Sequence, residues 1–206
     1  VDLSNATNAT ISDDQGVGTI TNDDGLPSIS IDDVSVAEGN SGTSTASFTV
    51  SLDASSSKTI TVDYATSDNT ATTSDSDYDA ISTTTLTFNP GETSKSVDVT
   101  INGDTKDEND ETFNVDLSNA VNATISDNQG IGTITNDDSS PAISINDVSI
   151  AEGNSGTSTA SFTVLLDASS SKTITVVYAT SDNTATTADS DYDACLLYTS
   201  DAADDE

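Results

Sequence analysis

Apolar and polar residues alternate through most of this chain, the period-2 pattern of strands with one buried face. Between residues 25 and 138 the apolar positions fall into short groups: Ile29/Ile31 (strand A), Val34/Val36 (A′), Ala46/Phe48/Val50/Leu52 (B), Ile60/Val62/Tyr64 (C), Leu86/Phe88 (D), Val97/Val99/Ile101 (E), Phe113/Val115/Leu117 (F) and Ile131–Ile134 (G). Turn-forming stretches separate them: AEGNSGTS, DASSSK, NPGETS and SNAVNATISDNQG. No segment carries helical periodicity. The pattern predicts an all-β protein of immunoglobulin-like antiparallel β-sandwiches. The Cys…Trp…Cys core of antibody domains is missing, so the likeness is one of architecture. A core of this size folds alone but is marginal.

The pattern repeats. Residues 28–80 recur as residues 142–194 with six differences, 114 residues further on, and residues 1–24 reappear as 115–138. Such a period marks a tandem array. It predicts one complete domain (25–138), a truncated strand F–G piece before it (1–24), and the N-terminal half of another repeat after it (139–194). The linkers GLPS (25–28) and SSPA (139–142) are short, so neighbouring repeats should stack end to end with limited play. Repetition stops abruptly after Ala194. Residues 195–206, which contain the chain's single cysteine, Cys195, resemble a translated sequencing adapter and are expected to be a non-native tail.

Composition narrows the function. The chain of 206 residues has 36 acids, four lysines, no arginine and no histidine, for a net charge of −32. Nucleic acid and anionic membranes need cationic surface, so neither is expected as a partner. No apolar run is long enough to span a bilayer, so no membrane insertion is expected within this fragment. One cysteine excludes a disulfide framework, and without histidine neither Cys195 nor a serine has a base to activate it. Carboxylate pairs of the glycosidase kind would need an aromatic-lined groove, and the nine aromatic residues fall mostly at core positions. The expectation is a protein that is not an enzyme.

The acids are unevenly placed. In an antiparallel sandwich the A′–B, C–D and E–F loops and the exit from G share one end. That end collects Glu38, Asp68, Asp75, Asp77, Asp79, Asp104, Asp107, Glu108, Asp110, Glu111, Asp137 and Asp138, whereas the opposite end holds only Asp53, Glu92 and Asp127. Each close pair of carboxylates costs about 1–4 kcal/mol between the dielectric of water and that of a protein surface. A hard divalent cation relieves that repulsion. Ca²⁺ accepts six to eight oxygens from irregular loops, Mg²⁺ demands stricter geometry, and zinc lacks its His and Cys ligands here. The repeats agree in direction: Asp14, Asp32 and Asp63 are replaced by Asn128, Asn146 and Val177, while Glu38, Asp68, Asp75, Asp77 and Asp79 return as Glu152, Asp182, Asp189, Asp191 and Asp193.

Four motifs, VAEGNSGTSTASFTVSL, YATSDNTATTSDSDY, LTFNPGETSKSVDVTINGDTKDENDETFNVDLSNA and GTITNDD, stand in an order and spacing that resemble the Calx-β domain. That family comprises Ca²⁺-binding sandwiches of sodium–calcium exchangers, integrin β4 and many bacterial surface proteins. The resemblance implies a metal site of Glu38, Asp77, Asp104, Glu108, Glu111, Asp137 and Asp138, with Asp110 as a further candidate. Exchanger domains carry a denser Asp run where this chain reads Gly103-Asp104-Thr105, and three Asp where it reads Asn136-Asp137-Asp138. Fewer ions or weaker binding is implied.

Other signals have plainer readings. Asp75-Ser-Asp77-Tyr-Asp79 lacks the Gly and Glu that would complete an EF-hand loop. Asp68 reads as a turn residue, Asp75 and Asp79 as solvated loop acids, Tyr64 and Tyr78 as core or rim, and the sequon residues Asn5, Asn8 and Asn122 as turn residues. The expected function is a calcium-binding repeat module of a large bacterial extracellular or cell-surface protein. Its partners would be calcium ions and neighbouring repeats, with Ca²⁺ stiffening loops and junctions. An adhesin domain and a spacer attached to an extracellular enzyme are the alternatives.

Overall fold

A computed structural model describes residues 1–195 and the backbone of residues 198–201; the remainder of the expected non-native tail lies outside the described residues. The middle of the chain forms nine strands: β1 (Ser28–Ile31), β2 (Val34–Ala37), β3 (Gly42–Leu52), β4 (Ile60–Asp68), β5 (Thr84–Phe88), β6 (Ser94–Gly103), β7 (Glu111–Val121), β8 (Thr124–Ile125) and β9 (Gln129–Thr135). They build two sheets, ordered β6-β3-β1-β8 and β2-β9-β7-β4-β5. All pairings are antiparallel except β1 with β8 and β2 with β9. Every strand expected from the alternation is present. β8 is an addition: Thr124 and Ile125, within a stretch read as a turn, pair with Ser28 and Ile29 and extend the first sheet.

The alternation does its work in β3, where Ala46, Phe48, Val50 and Leu52 are buried and the residues between them face water or the rim. Phe48, Phe88 and Phe113 are fully buried. Phe113 meets Phe48 edge-on, with ring centroids 5.9 Å apart, and stacks on Tyr78 at 4.6 Å. Offset and edge geometries of this kind suit the ring quadrupoles. The Phe113 ring fills the space that a side chain at Gly132, its partner on β9, would need: a Cβ there would lie 2.4 Å from the ring.

The flanking copies form much less. In the third, β10 (Ile143–Ile145) pairs with β11 (Val164–Leu166), and β12 (Thr175–Tyr178) pairs with β13 (Tyr198–Asp201). Residues 1–24 contain a single bridge, Asp2 to Gln15. Asn5, Asn8 and Asn122 all adopt positive φ, as turn residues do. Among the described residues no helix is long and apolar enough to cross a membrane.

Candidate metal centre

The strand directions bring the β2–β3, β4–β5 and β6–β7 loops and the exit of β9 to one end of the sandwich. The acids there divide into a converging set, a set that holds loops in shape, and one residue that faces elsewhere.

Asp77, Glu108 and Glu111 converge: one carboxylate oxygen from each lies within 4.8 Å of the others. Asp77 and Glu108 are buried, and Glu111 is half-buried at the start of β7. Asp77 is fixed by its own loop, since its Oδ2 accepts the Thr72 amide at 2.7 Å and its amide donates to the Thr72 carbonyl. Burial pushes the Glu111 carboxyl up to about 7, helped by its hydrogen bond to Asp77 and by the charges of Asp77, Glu108 and Asp75. Glu38 is buried beside them. Its carboxyl is also pushed up to about 7, by burial and then by Asp104, Glu108, Asp138 and Asp77. Four acids thus crowd one buried carboxylate. Lys106 is inserted among them, with its Nζ 2.6 Å from Glu108. Glu108 raises the lysine's affinity for its proton.

Asp138 completes the picture. Its Oδ1 accepts from Asn40 Nδ2 at 2.8 Å, but its Oδ2 is buried with no hydrogen-bond partner. Burial, then Asp137, Asp104 and Asp107, raise its carboxyl above the ordinary value. A buried carboxylate oxygen left unpaired is costly, and native proteins rarely leave one so. The donor set here is oxygen throughout, which fits a hard cation and not zinc.

The remaining expected ligands are engaged with backbone. Asp104 Oδ1 accepts the Lys106 amide at 2.7 Å, Asp110 Oδ1 the Asn136 amide at 3.0 Å, and Asp137 Oδ1 the Gly39 amide at 3.2 Å. Asn136, where the resemblance led one to compare an aspartate, ties the centre together. It accepts the Glu108 amide at 3.1 Å and donates to the Asp138 carbonyl at 3.0 Å. Gly103 lets the loops approach this closely, because a Cβ there would lie 2.1 Å from the Gly39 carbonyl oxygen.

Asp68, the last residue of β4, accepts hydrogen bonds from the Tyr78 hydroxyl (2.6 Å) and the Thr73 amide (3.2 Å), so it holds the β4–β5 loop in shape from further along the chain than the two-residue spacing of an Asx turn. Burial and that hydrogen bond raise the tyrosine's pKa. Asp75 and Asp79 are exposed. Tyr78 is core and Tyr64 packs against it. Asp107, counted by sequence among the clustered acids, turns away: it is buried against residues of the third copy, where Lys172 Nζ lies 2.7 Å from its Oδ1. Sequence reasoning treated DASSSK only as a turn. The signal available was that two of the chain's four lysines, Lys58 and Lys172, occupy this same position of the repeat.

Three acids at the other end are committed to turns. Asp53 accepts the Ser28 amide, Glu92 the Asn89 amide and the Lys95 ammonium, and Asp127 the Gln129 amide.

The family model described as the Calx-beta domain matches residues 21–140 and again 136–197. Similar solved structures include the apo form of the Calx CBD1 domain (23% identity, covering 55% of this chain and 100% of that one, TM-score 0.46). The calcium binding domain CBD12 of CALX1.1 is 21% identical, with 84% and 69% coverage and a TM-score of 0.48. No curated protein matches. With two successive matches spanning most of its length, the chain belongs to the Calx-beta domain family.

Proposed function

We propose that the complete repeat binds calcium at the acidic end of its sandwich, and that the ion orders the loops and stiffens the junction to the next repeat. The observation that carries this reading is the convergence of Asp77, Glu108 and Glu111 within 4.8 Å. Glu38 and Asp138 support it: one is a buried carboxylate surrounded by acids, and the other holds a buried, unpartnered oxygen. Asp104 lies close enough to raise the Glu38 carboxyl and joins the set. Asp110 and Asp137, through their bonds to Asn136 and Gly39, shape the loops from which the ion is held. Bound Ca²⁺ would supply positive charge where the protein supplies almost none, and no reaction is needed to explain the arrangement. Membership of a family whose resemblance implied calcium agrees.

In an array, each such ion would act near the linker that leads to the next domain, which suits a structural module of a large extracellular or cell-surface bacterial protein. Calorimetric titration with CaCl₂, followed by melts in calcium and in chelator, tests the site. Calcium should raise the Tm, and Glu38→Ala with Asp104→Ala should remove the increase. Equal Tm values in calcium and chelator would sink the reading.

A further inference from the structure

The acids at the metal end do not all face the same way, and the one that departs contacts the next repeat. Asp107, in the β6–β7 loop, is 3% exposed. Its partners lie in the loop between β11 and β12: Lys172 Nζ is 2.7 Å from Oδ1, and Ser170 Oγ is 3.2 Å from Oδ2. The backbones engage as well. Ser170 Oγ and the Ser171 amide donate to the Asp107 carbonyl at 2.8 and 3.1 Å, and the Asp107 amide donates to Ser169 at 3.3 Å.

The sequence of that loop, DASSSKT at 167–173, is identical to 53–59 in the complete repeat. One local bond is shared too. The Lys172 amide donates to Ser170 Oγ at 3.1 Å, and the Lys58 amide to Ser56 Oγ at 3.0 Å. In the complete repeat this loop joins β3 to β4, at the end opposite the metal centre, and Lys58 is exposed. The repeat therefore has a lysine plug at one end and an aspartate socket at the other.

We infer that successive repeats dock head to tail through this pair: Asp107 of one receives the Lys172-type lysine of the next, and Lys58 is the plug for a repeat that precedes residue 25. A contact between unlike ends of identical units propagates into a linear array. In a chain of net charge −32 the lysine also removes one repulsive carboxylate from the junction, and the backbone bonds on either side fix the angle of approach. The partner is a second copy of the same repeat, and the docking requires no metal.

The test uses the full chain in chelator, so that its outcome is independent of calcium binding. Amide exchange by NMR compares Ser171 with Ser57, which have the same local sequence and hence the same intrinsic rate. Docking should slow Ser171 by about fivefold, the scale of one well-placed ion pair with its hydrogen bonds. Lys172→Ala should bring the two rates together while the Val99 and Val115 amides of the sandwich core stay unchanged. Exchanging the charges, Asp107→Lys with Lys172→Asp, should restore part of the difference. Equal rates in the unaltered chain, or a difference that survives Lys172→Ala, would overturn the inference.

Discussion

Residues 28–80 and 142–194 are nearly one sequence in two structural settings. In the first, Phe48 is fully buried and β3 runs for 11 residues; in the second, the equivalent Phe162 is 55% exposed and β11 runs for three. Ile31 and Ile145 differ in the same way, at 4% and 60% exposure. The loops hardly differ. Tyr192 donates to Asp182 at 2.6 Å as Tyr78 does to Asp68, and Ser190 and Ser76 share a positive φ. Even the register between the first two strands is kept, with Ile143 opposite Leu166 and Ile29 opposite Leu52. Turns and the neighbouring strand pair are encoded locally, whereas the core requires β6, β7 and β9 from residues further along the chain. Non-local pairing is what the third copy lacks.

The largest effect should come from supplying it. Placing the sequence of residues 81–138 after Ala194, in place of residues 195–206, should convert the third copy into a second sandwich. A second cooperative transition, or a doubling of the unfolding enthalpy by calorimetry, would record this. Continued exposure of Phe162 would show that the two settings differ for another reason. Next, Phe48→Ala should destabilise the complete repeat by about 3–5 kcal/mol in denaturant titration, and Phe162→Ala should change nothing by more than about 0.5 kcal/mol.

The metal centre divides the copies as sharply. Glu152 and Asp191 are exposed where Glu38 and Asp77 are buried, and residues 142–195 include no counterpart of the loop that carries Glu108 and Glu111. Calcium at about 100 times its Kd should stabilise the complete repeat by about 2.7 kcal/mol. Glu38→Gln should abolish the gain, and Glu152→Gln should leave it intact.

Protons should report the same asymmetry. Glu38 and Glu111 have an ordinary value of 4.5 and are pushed up to about 7 in the folded repeat. The folded state therefore holds protons that the unfolded chain has released, so the stability they confer is full below 4.5 and is lost as pH rises through 7. Melts of the metal-free protein should fall in Tm across that window, and saturating calcium should flatten the slope. The smallest effect concerns a bond both copies make. Tyr78→Phe, which removes the hydroxyl bonded to Asp68, should cost about 1 kcal/mol, whereas Tyr192→Phe should leave the melt unmoved.

Much of this was legible in the sequence, because alternation reports burial directly and every expected strand from Ile29 to Ile134 is present. The segregation of acids was legible for a related reason: strand count fixes which loops share an end. Side-chain direction was not. Asp107 and Glu108 are neighbours in sequence, yet one faces the next repeat and the other the carboxylate cluster. Asn136 gave no hint that it bridges Glu108 to Asp138, since an amide's partners depend on the loops folded around it. The two residues of β8 were hidden by composition, lying between Ala123 and Ser126 in a stretch rich in turn formers.

One pairing has a mechanical consequence. β2, near the start of the domain, and β9, at its end, lie parallel, with Val34 to Ala37 opposite Gly132 to Thr135. Tension along a string of repeats would pull these two strands past each other in opposite directions along their length. Their evenly spaced hydrogen bonds would then bear the load in shear, together, and not peel apart one at a time.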